Sequence, residues 1–166
     1  LICVGALIDL KKTINCIELV EFLKQDFPNI TCYIVGDGPN YKIIKKEIIK
    51  RKLDRLITLT GQVSRKKSLE LIQRSKVLFH PSKYESYGMI LAEAMASQTH
   101  VVARNTGLSF EEPIIHKFEN IEDAANRVSI LLNSDKLPDQ KIYSISETAS
   151  KYIENVYLPN LRTYDK

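Results

Sequence analysis

Short apolar runs alternate along the chain with amphipathic stretches of helical spacing, and this alternation limits the fold more than any other feature of the sequence. A strand that is apolar on both of its faces is typical of a parallel sheet with helices packed on each side. The sequence therefore predicts an α/β fold, with a five-stranded, Rossmann-like parallel sheet covered by helices on both faces. The predicted strands are residues 1–7, 31–35, 56–60, 77–80 and 100–103.

Polar residues that favour the starts of helices separate these runs. Ser144 and Glu147 have the capping-box spacing that predicts a last helix, which Pro159 stops or kinks. Four further residues are expected to cap or open helices: Thr13, Asn40, Ser64 and Asn120.

The composition favours a single domain that needs no covalent or metal cross-link. With 166 residues, of which 44% are apolar, the chain is long enough to bury a full core. Cys3, Cys16 and Cys32 lie in apolar patterns without metal-ligand spacing, so we expect buried thiols, a reducing cytoplasmic location and no metal. No apolar run approaches the roughly 18 residues of a membrane-spanning helix.

The chain begins directly with a strand-like run, Leu1 to Gly5, which indicates a piece of a longer protein. Much of the net charge of +4 lies in residues 42–55, where lysines alternate with isoleucines at helical spacing. The main interpretation of this pattern is a solvated helix face. The alternative is attraction to an anionic surface, with peripheral membrane contact favoured over nucleic acid because no aromatic residues are interleaved.

In parallel sheets ligands bind beyond the carboxyl ends of the strands, so the loops after the strands are the candidate sites. In the first, residues 5–12, Lys11 and Lys12 precede a helix whose dipole disfavours cations, so either an anionic ligand or simple solvent exposure explains them. The second, residues 36–39, is expected to be a structural turn. The third, residues 60–64, offers backbone groups that could recognise a planar base.

The fourth loop contains Glu85 and Glu93 at the two ends of an apolar, glycine-containing segment. Gly88 allows backbone to approach a ligand, and free N–H groups there and at Met89 would form an anion site. Carboxylates on either side of such a site are good acceptors for sugar hydroxyls. The alternative is a first-turn acid and an ordinary helix glutamate, but a buried Glu93 needs a partner, and a pair of ligand hydroxyls is one.

Taken together, these segments resemble the C-terminal, donor-binding domain of group 1, family 4-like GT-B glycosyltransferases, a large retaining family that uses nucleotide-activated sugars. Glu85 and Glu93, with seven residues between them, are similar to the paired-glutamate motif of that family. The matching segments are residues 4–5 with Lys11, 35–39, 60–63, 80–82, 85–88, 93–97 and 101–103.

The resemblance implies a role for each matching residue. Lys11 matches the lysine on the donor diphosphate, Glu85 the glutamate that faces the hydroxyls of the transferred sugar, and Glu93 the glutamate that holds the ribose. Lys11 and Glu85 are therefore the expected catalytic residues. The residues expected to bind the donor are Gly5, Lys11, Gly61, Val63, Glu85, Tyr87, Gly88, Met89, Ile90 and Glu93.

The resemblance also implies a hexosyltransferase whose substrate is a UDP- or GDP-sugar and whose acceptor is a glycan or a lipid-linked molecule. Negative charge grows on the nucleoside diphosphate as the sugar leaves, so a fixed ammonium and helix N–H groups can stabilise the transition state without a metal or a resident cofactor. Residues 1–166 are expected to form a single nucleotide-sugar-binding domain. Since the N-terminal acceptor domain is expected to be missing, the isolated chain should bind donor but transfer nothing.

The sequence departs from the family at Ala6, where an arginine usually joins the lysine on the phosphates. Lys12 or Arg104 are candidates to replace it, while Gln98 and His100 stand where the family has glycine and proline. A degenerate, non-catalytic binding or scaffold subunit is therefore the alternative function. A glycosidase or a redox dinucleotide enzyme fits less well.

Overall fold

The computed structural model describes residues 1–143 and contains a six-stranded parallel sheet. Its strands are β1 (Ile2–Val4), β2 (Cys32–Val35), β3 (Ile57–Gly61), β4 (Val77–His80), β5 (His100–Ala103) and β6 (His116–Lys117). The helices are α1 (Ile14–Leu23), α2 (Tyr41–Lys50), α3 (Arg65–Gln73), α4 (Met89–Ala96) and α5 (Ile121–Asn133), with 3₁₀ turns at Asp9–Lys11 and Gly107–Phe110.

Helices cover both faces of the sheet, as the buried strands require. Successive strand residues point to opposite faces, and in β4 Leu78 belongs to the core cluster that includes α3 and α4, while Phe79 belongs to the cluster that includes α1, α2 and α5. Both side chains are fully buried. The predicted α/β, Rossmann-like fold with helices on both faces is confirmed.

Two predicted strand features are wrong. The sheet has a sixth strand, β6, which the sequence did not predict. Because β6 consists of only two half-buried residues, His116 and Lys117, it has no apolar run that a sequence pattern could show. The first strand ends at Val4 rather than at residue 7, because the chain then turns out of the sheet into the loop that leads to α1. The last predicted helix, from Ser144, lies outside the described residues.

All four residues stand at the start of a helix as predicted, but only two of them cap it with a side chain. Ser64 accepts a hydrogen bond from the Lys67 N–H at 3.2 Å, and Asn120 accepts one from the Asp123 N–H at 2.9 Å. Thr13 and Asn40 occupy the positions before α1 and α2, but neither side chain caps its helix. The Asn40 amide instead donates to Asp9 Oδ1 at 2.8 Å, which joins the loop after β1 to the start of α2.

The three cysteines are buried, free thiols that meet inside the core. Cys16 on α1 and Cys32 on β2 are fully buried, and their sulfur atoms lie 3.5 Å apart. Hydrogen bonds from Cys3 and Cys32, together with burial, raise the pKa of the Cys16 thiol, so the group stays neutral. The prediction of buried thiols is confirmed.

The strand order β3-β2-β1-β4-β5-β6 places the reversal of winding between β1 and β4. The chain leaves β1 towards β2 but leaves β4 towards β5, so the two loops separate and leave a crevice at the carboxyl edge of the sheet. Beside it, Gly36 packs so closely on the loop after β1 that a Cβ there would lie 1.9 Å from the Gly5 carbonyl oxygen. The loop of residues 36–39 therefore has the structural role that the sequence indicates.

Candidate functional site

The loops after β1 and β4 meet at the winding reversal. The Lys83 N–H donates to the Leu10 carbonyl at 2.9 Å, which ties the two loops together. Lys11, at the end of the 3₁₀ turn, donates from Nζ to Glu85 Oε1 at 2.5 Å, and His80 at the end of β4 contacts the same oxygen through Nε2 at 2.7 Å. Lys11 from the first loop and His80 and Glu85 from the fourth strand and its loop therefore form one hydrogen-bonded cluster.

The carboxyl group of Glu85 remains ionised at any physiological pH. Burial alone would raise its pKa, since the side chain is only 11% exposed, but hydrogen bonds and positive charge from His80 and Lys11 outweigh burial and lower the pKa to about 2. An ionised carboxylate only accepts hydrogen bonds. Among the described residues no hydrogen bond uses Oε2 of Glu85, so this oxygen can accept from a ligand hydroxyl.

His80 lies in one of the matching segments, residues 80–82, but the sequence analysis assigned it no role in the site. Its ring is 3% exposed and contacts an ionised carboxylate, so the Nε2 atom carries the proton and donates. One further signal was present: His80 is the single polar residue of an otherwise apolar strand, five positions before Glu85. The contact itself depends on how the loop of residues 81–84 folds back, which spacing does not determine.

Glu93 has the partner that the sequence analysis expects it to need, and within the structure this partner is a protein side chain. Arg65, the first residue of α3, donates from Nη2 and Nε to Glu93 Oε1 at 3.0 and 3.2 Å. The Arg65 side chain is 77% exposed and that of Glu93 is 19% exposed. Because Arg65 directly follows the loop of residues 60–64, this ion pair places Glu93 beside that loop.

The start of α4 has no side-chain cap among the described residues, and the anion site expected there stays a prediction. Gly88 precedes the helix with φ of 86°, a left-handed conformation that favours glycine. The adjacent Tyr87 carbonyl accepts from the Leu108 N–H at 2.6 Å. Gly107 permits this contact, since a Cβ there would lie 2.6 Å from the same carbonyl oxygen. The loop after β5 therefore holds the backbone that leads into α4, next to the exposed side chain of Met89 and the half-buried Ile90.

A cleft of about 340 Å³ opens at the carboxyl ends of β1, β2 and β3. It brings together two predicted donor residues, Gly5 and Val63, while Gly61 ends β3 and accepts a hydrogen bond from the Gly36 N–H at 3.0 Å. Lys11, Glu85 and Glu93 do not line this cleft. The residues that do are Val4, Gly5, Ala6, Val35, Gly36, Asp37, Gln62, Val63 and Ser68.

The two candidates to replace the family arginine at Ala6 have other contacts. Arg104 donates to the Glu119 carbonyl at 3.3 Å, and its guanidinium lies 5.2 Å from the centre of the Phe118 ring. Lys12 lines a separate groove with Asn40. Neither forms a hydrogen bond with Glu85 within the described residues, so their proposed role stays a prediction.

Residues 1–143 contain no group of three or more His, Cys, Asp or Glu side chains arranged to hold a metal ion. The same part of the chain contains no helix that is long and apolar enough to span a bilayer.

A comparison with known protein families identifies the family of this chain. The model of the family "Glycosyl transferases group 1" matches residues 1–148. The chain belongs to this family.

An uncharacterized glycosyltransferase of Methanocaldococcus jannaschii is 25% identical over 81% of this chain and 38% of its own length. The alpha-monoglucosyldiacylglycerol synthase of Acholeplasma laidlawii is 31% identical over 51% of this chain and 21% of its own length. The chain thus spans less than half the length of these relatives.

Solved structures of glycosyltransferases have the same architecture. Staphylococcus aureus TarM, as a mutant in complex with UDP and alpha-GlcNAc-glycerol among others, is 25% identical, with a TM-score of 0.74 over 93% of this chain and 32% of its own. The C-terminal domain of LpcC from Francisella tularensis is 19% identical, with a TM-score of 0.71 over 94% of this chain and 85% of its own, a likeness of fold alone. The resemblance to a group 1 GT-B glycosyltransferase domain is confirmed.

Proposed function

We propose that this glycosyltransferase group 1 chain binds a nucleoside-diphosphate sugar and positions it for transfer of a hexose, with retention, to a glycan or lipid-linked acceptor. The observation that carries the proposal is the cluster of Lys11, His80 and Glu85 beside the uncapped start of α4. It presents a cation and backbone N–H groups to a diphosphate, and an ionised carboxylate to sugar hydroxyls.

The nucleoside would extend from this cluster towards the loop of residues 60–64. In this proposal Glu93 accepts from the ribose hydroxyls through Oε2, while Arg65 keeps its hydrogen bonds to Oε1. The cleft lined by Gly5, Ala6 and Val63 would then take part of the nucleotide. UDP, which is bound in the TarM structure, is the first nucleotide to consider.

The proposed transfer breaks the bond between the anomeric carbon and the diphosphate oxygen, and the bonding electrons remain on the nucleoside diphosphate. The oxygen of the acceptor hydroxyl forms the new bond to the same carbon, and its proton passes to the departing diphosphate. Charge on the leaving diphosphate grows during this step, so the Lys11 ammonium stabilises the transition state more than the bound substrate. We propose that this stabilisation suffices without a metal ion.

The nature of the acceptor is a further part of the proposal, because the chain spans less than half the length of relatives such as the Methanocaldococcus jannaschii glycosyltransferase. Two other relatives are named glycogen synthase and alpha-monoglucosyldiacylglycerol synthase, which motivates a glycan or a lipid as acceptor. We place the protein in the cytoplasm because Cys3, Cys16 and Cys32 are free thiols. Residues 1–166 alone are expected to bind donor without transferring it.

Isothermal titration calorimetry with UDP, GDP, ADP and their sugar conjugates tests this proposal. Loss of one charge-assisted contact costs about 1.5–3 kcal/mol, so Lys11→Ala and Glu93→Ala should each weaken the preferred nucleotide roughly ten- to a hundredfold. Lys24→Ala and Glu70→Ala are matched controls, since both side chains are solvent-exposed and lie in surface ion pairs. If the two control variants weaken nucleotide binding as much as Lys11→Ala and Glu93→Ala do, the assigned site is wrong.

Ala6 motivates a second candidate function, a non-catalytic subunit that keeps the fold. In that case a folded protein would bind none of the nucleotides at millimolar concentration. Restoring the family residue with Ala6→Arg then separates the two candidates. Gain of nucleotide binding in Ala6→Arg indicates a degenerate donor site, whereas continued absence of binding contradicts the proposed donor site itself.

A further inference from the structure

The outer face of α2 combines exposed lysines with exposed isoleucines. Ile44 and Ile48 are buried against the core, whereas Ile43 and Ile49 are each 58% exposed. The helix contains a single acidic residue, Glu47, whose carboxylate accepts hydrogen bonds from neighbouring basic side chains and is half-buried. The exposed basic residues in and directly after α2 are Lys42, Lys45, Lys46, Lys50 and Lys52.

Four of these lysines surround Ile49 in a shallow groove of about 420 Å³, lined by Lys42, Lys45, Lys46, Ile49 and Lys50. Lysine side chains carry long apolar stems and a charged head, so they can cover an apolar surface while the ammonium groups extend outward. Such an arrangement presents a small apolar centre with a ring of positive charge.

We infer that the outer face of α2 docks on the surface of an anionic lipid bilayer. Amphipathic helices that lie in a membrane interface combine apolar residues, which enter the headgroup boundary, with lysines that attract anionic headgroups. Ile43 and Ile49 provide the first group, and Lys42, Lys45 and Lys46 the second. The positive charge of this face and its exposed isoleucines are therefore both complementary to an anionic bilayer surface.

Nucleic acid explains only half of these observations. A polyphosphate would attract the lysines, but it would leave Ile43 and Ile49 in water. The exposed face of α2 also carries no aromatic side chain on which a base could stack, since Tyr41 is packed on the core. An anionic bilayer accounts for the isoleucines as well as the lysines.

The inference goes beyond the proposed function and does not depend on donor binding. The two surfaces are nonetheless close in the chain, because α2 begins at Tyr41 and the preceding loop contributes Gly36 and Asp37 to the cleft. A protein docked through α2 would therefore have this end of the cleft near the lipid surface.

Cosedimentation with vesicles tests the inference in the absence of any nucleotide. We expect binding to equimolar phosphatidylglycerol and phosphatidylcholine, and much weaker binding to phosphatidylcholine alone. Each lysine near an anionic surface contributes about a fivefold factor, so Lys42→Gln, Lys45→Gln and Lys46→Gln combined should weaken binding more than about tenfold. None of these three lysines forms an ion pair within the described residues, so the fold should be unaffected.

A second triple variant has the same change in net charge at other exposed lysines, Lys66→Gln, Lys67→Gln and Lys83→Gln. Lys66 and Lys67 lie on α3, on the opposite face of the sheet, so vesicle binding should change less than about twofold with this control. Ile49→Ser should weaken vesicle binding at least about threefold, because one exposed apolar side chain no longer enters the interface.

Three results would overturn the inference. The first is equal binding to anionic and zwitterionic vesicles, and the second is equal weakening by the two triple variants. The third is binding to single-stranded polynucleotide that exceeds vesicle binding and is unaffected by Ile49→Ser, which would assign the face to nucleic acid. Circular dichroism and thermal melting establish that each variant is folded before it is compared.

Discussion

At the scale of single residues, the candidate site depends on one carboxylate shared by two donors. Glu85 Oε1 accepts from Lys11 at 2.5 Å and from His80 at 2.7 Å, and the side chain is largely buried. Removing either donor would leave a buried charge with less compensation, which is costly. His80 therefore acts as a positioning residue that holds Glu85 independently of Lys11.

The depressed pKa of Glu85 predicts how stability depends on pH. The folded protein holds this pKa at about 2, against an ordinary value of 4.5, so ionised Glu85 stabilises the fold above pH 4.5 and the contribution is lost as pH falls towards 2. At pH 7 we expect Glu85→Gln to lower the free energy of unfolding by about 2–3 kcal/mol. Urea denaturation of both proteins between neutral and acidic pH should show this difference shrinking as the pH falls.

Glu70→Gln is the control for this pH series, because Glu70 lies in an exposed ion pair with Lys67 at 3.2 Å. Exposed pairs contribute little, so its effect should stay below about 1 kcal/mol at every pH. A destabilisation by Glu85→Gln that is equally large at neutral and acidic pH would show that packing, rather than ionisation, accounts for it.

At the scale of elements, the two asparagines that precede α2 and α5 have different roles. Asn120 caps α5, since its side chain accepts from the Asp123 N–H at 2.9 Å. Asn40 precedes α2 with its side chain turned to Asp9 instead. The sequence predicts a cap at both, because the preference of asparagine for this position is local, whereas the partner of Asn40 is 31 residues away.

This difference predicts unequal costs for the same substitution. Asn120→Ala should lower the free energy of unfolding by about 1 kcal/mol, because an N–H of the first turn loses its acceptor. Asn40→Ala loses one exposed hydrogen bond and should cost at most about 0.5 kcal/mol. Chemical denaturation of the two variants provides the comparison, and a larger loss in Asn40→Ala would contradict the assigned roles.

At the scale of the whole molecule, one sheet joins two helical layers into a single core. Leu78 and Phe79 are adjacent on β4, yet Leu78 belongs to the core cluster with α3 and α4 and Phe79 to the cluster with α1, α2 and α5. The ring centre of Phe79 lies 5.1 Å from that of Phe118. A loss of packing on either face should therefore destabilise the same cooperative unit.

Leu78→Ala and Phe79→Ala test this coupling. Each substitution opens a cavity and should lower the free energy of unfolding by about 3 kcal/mol. Far-UV circular dichroism and tyrosine fluorescence should give coincident transitions in both variants. Ile130→Ala is the control, since this α5 side chain is 70% exposed and its loss should cost less than about 0.5 kcal/mol. Separate transitions for the two probes would show that the layers unfold independently.

The sequence by itself determined the α/β class, the five longer strands and the caps at Ser64 and Asn120, because apolar periodicity and capping depend on residues that are close in the chain. It also indicated that Lys11 and Glu85 belong to loops at the carboxyl edge of the sheet. Only the tertiary structure decided that these two residues meet, that His80 joins them, that Arg65 pairs with Glu93 and that β6 adds to the sheet. Each of these contacts depends on how loops or helices from separate parts of the chain pack against one another, and sequence patterns within one segment do not determine that packing.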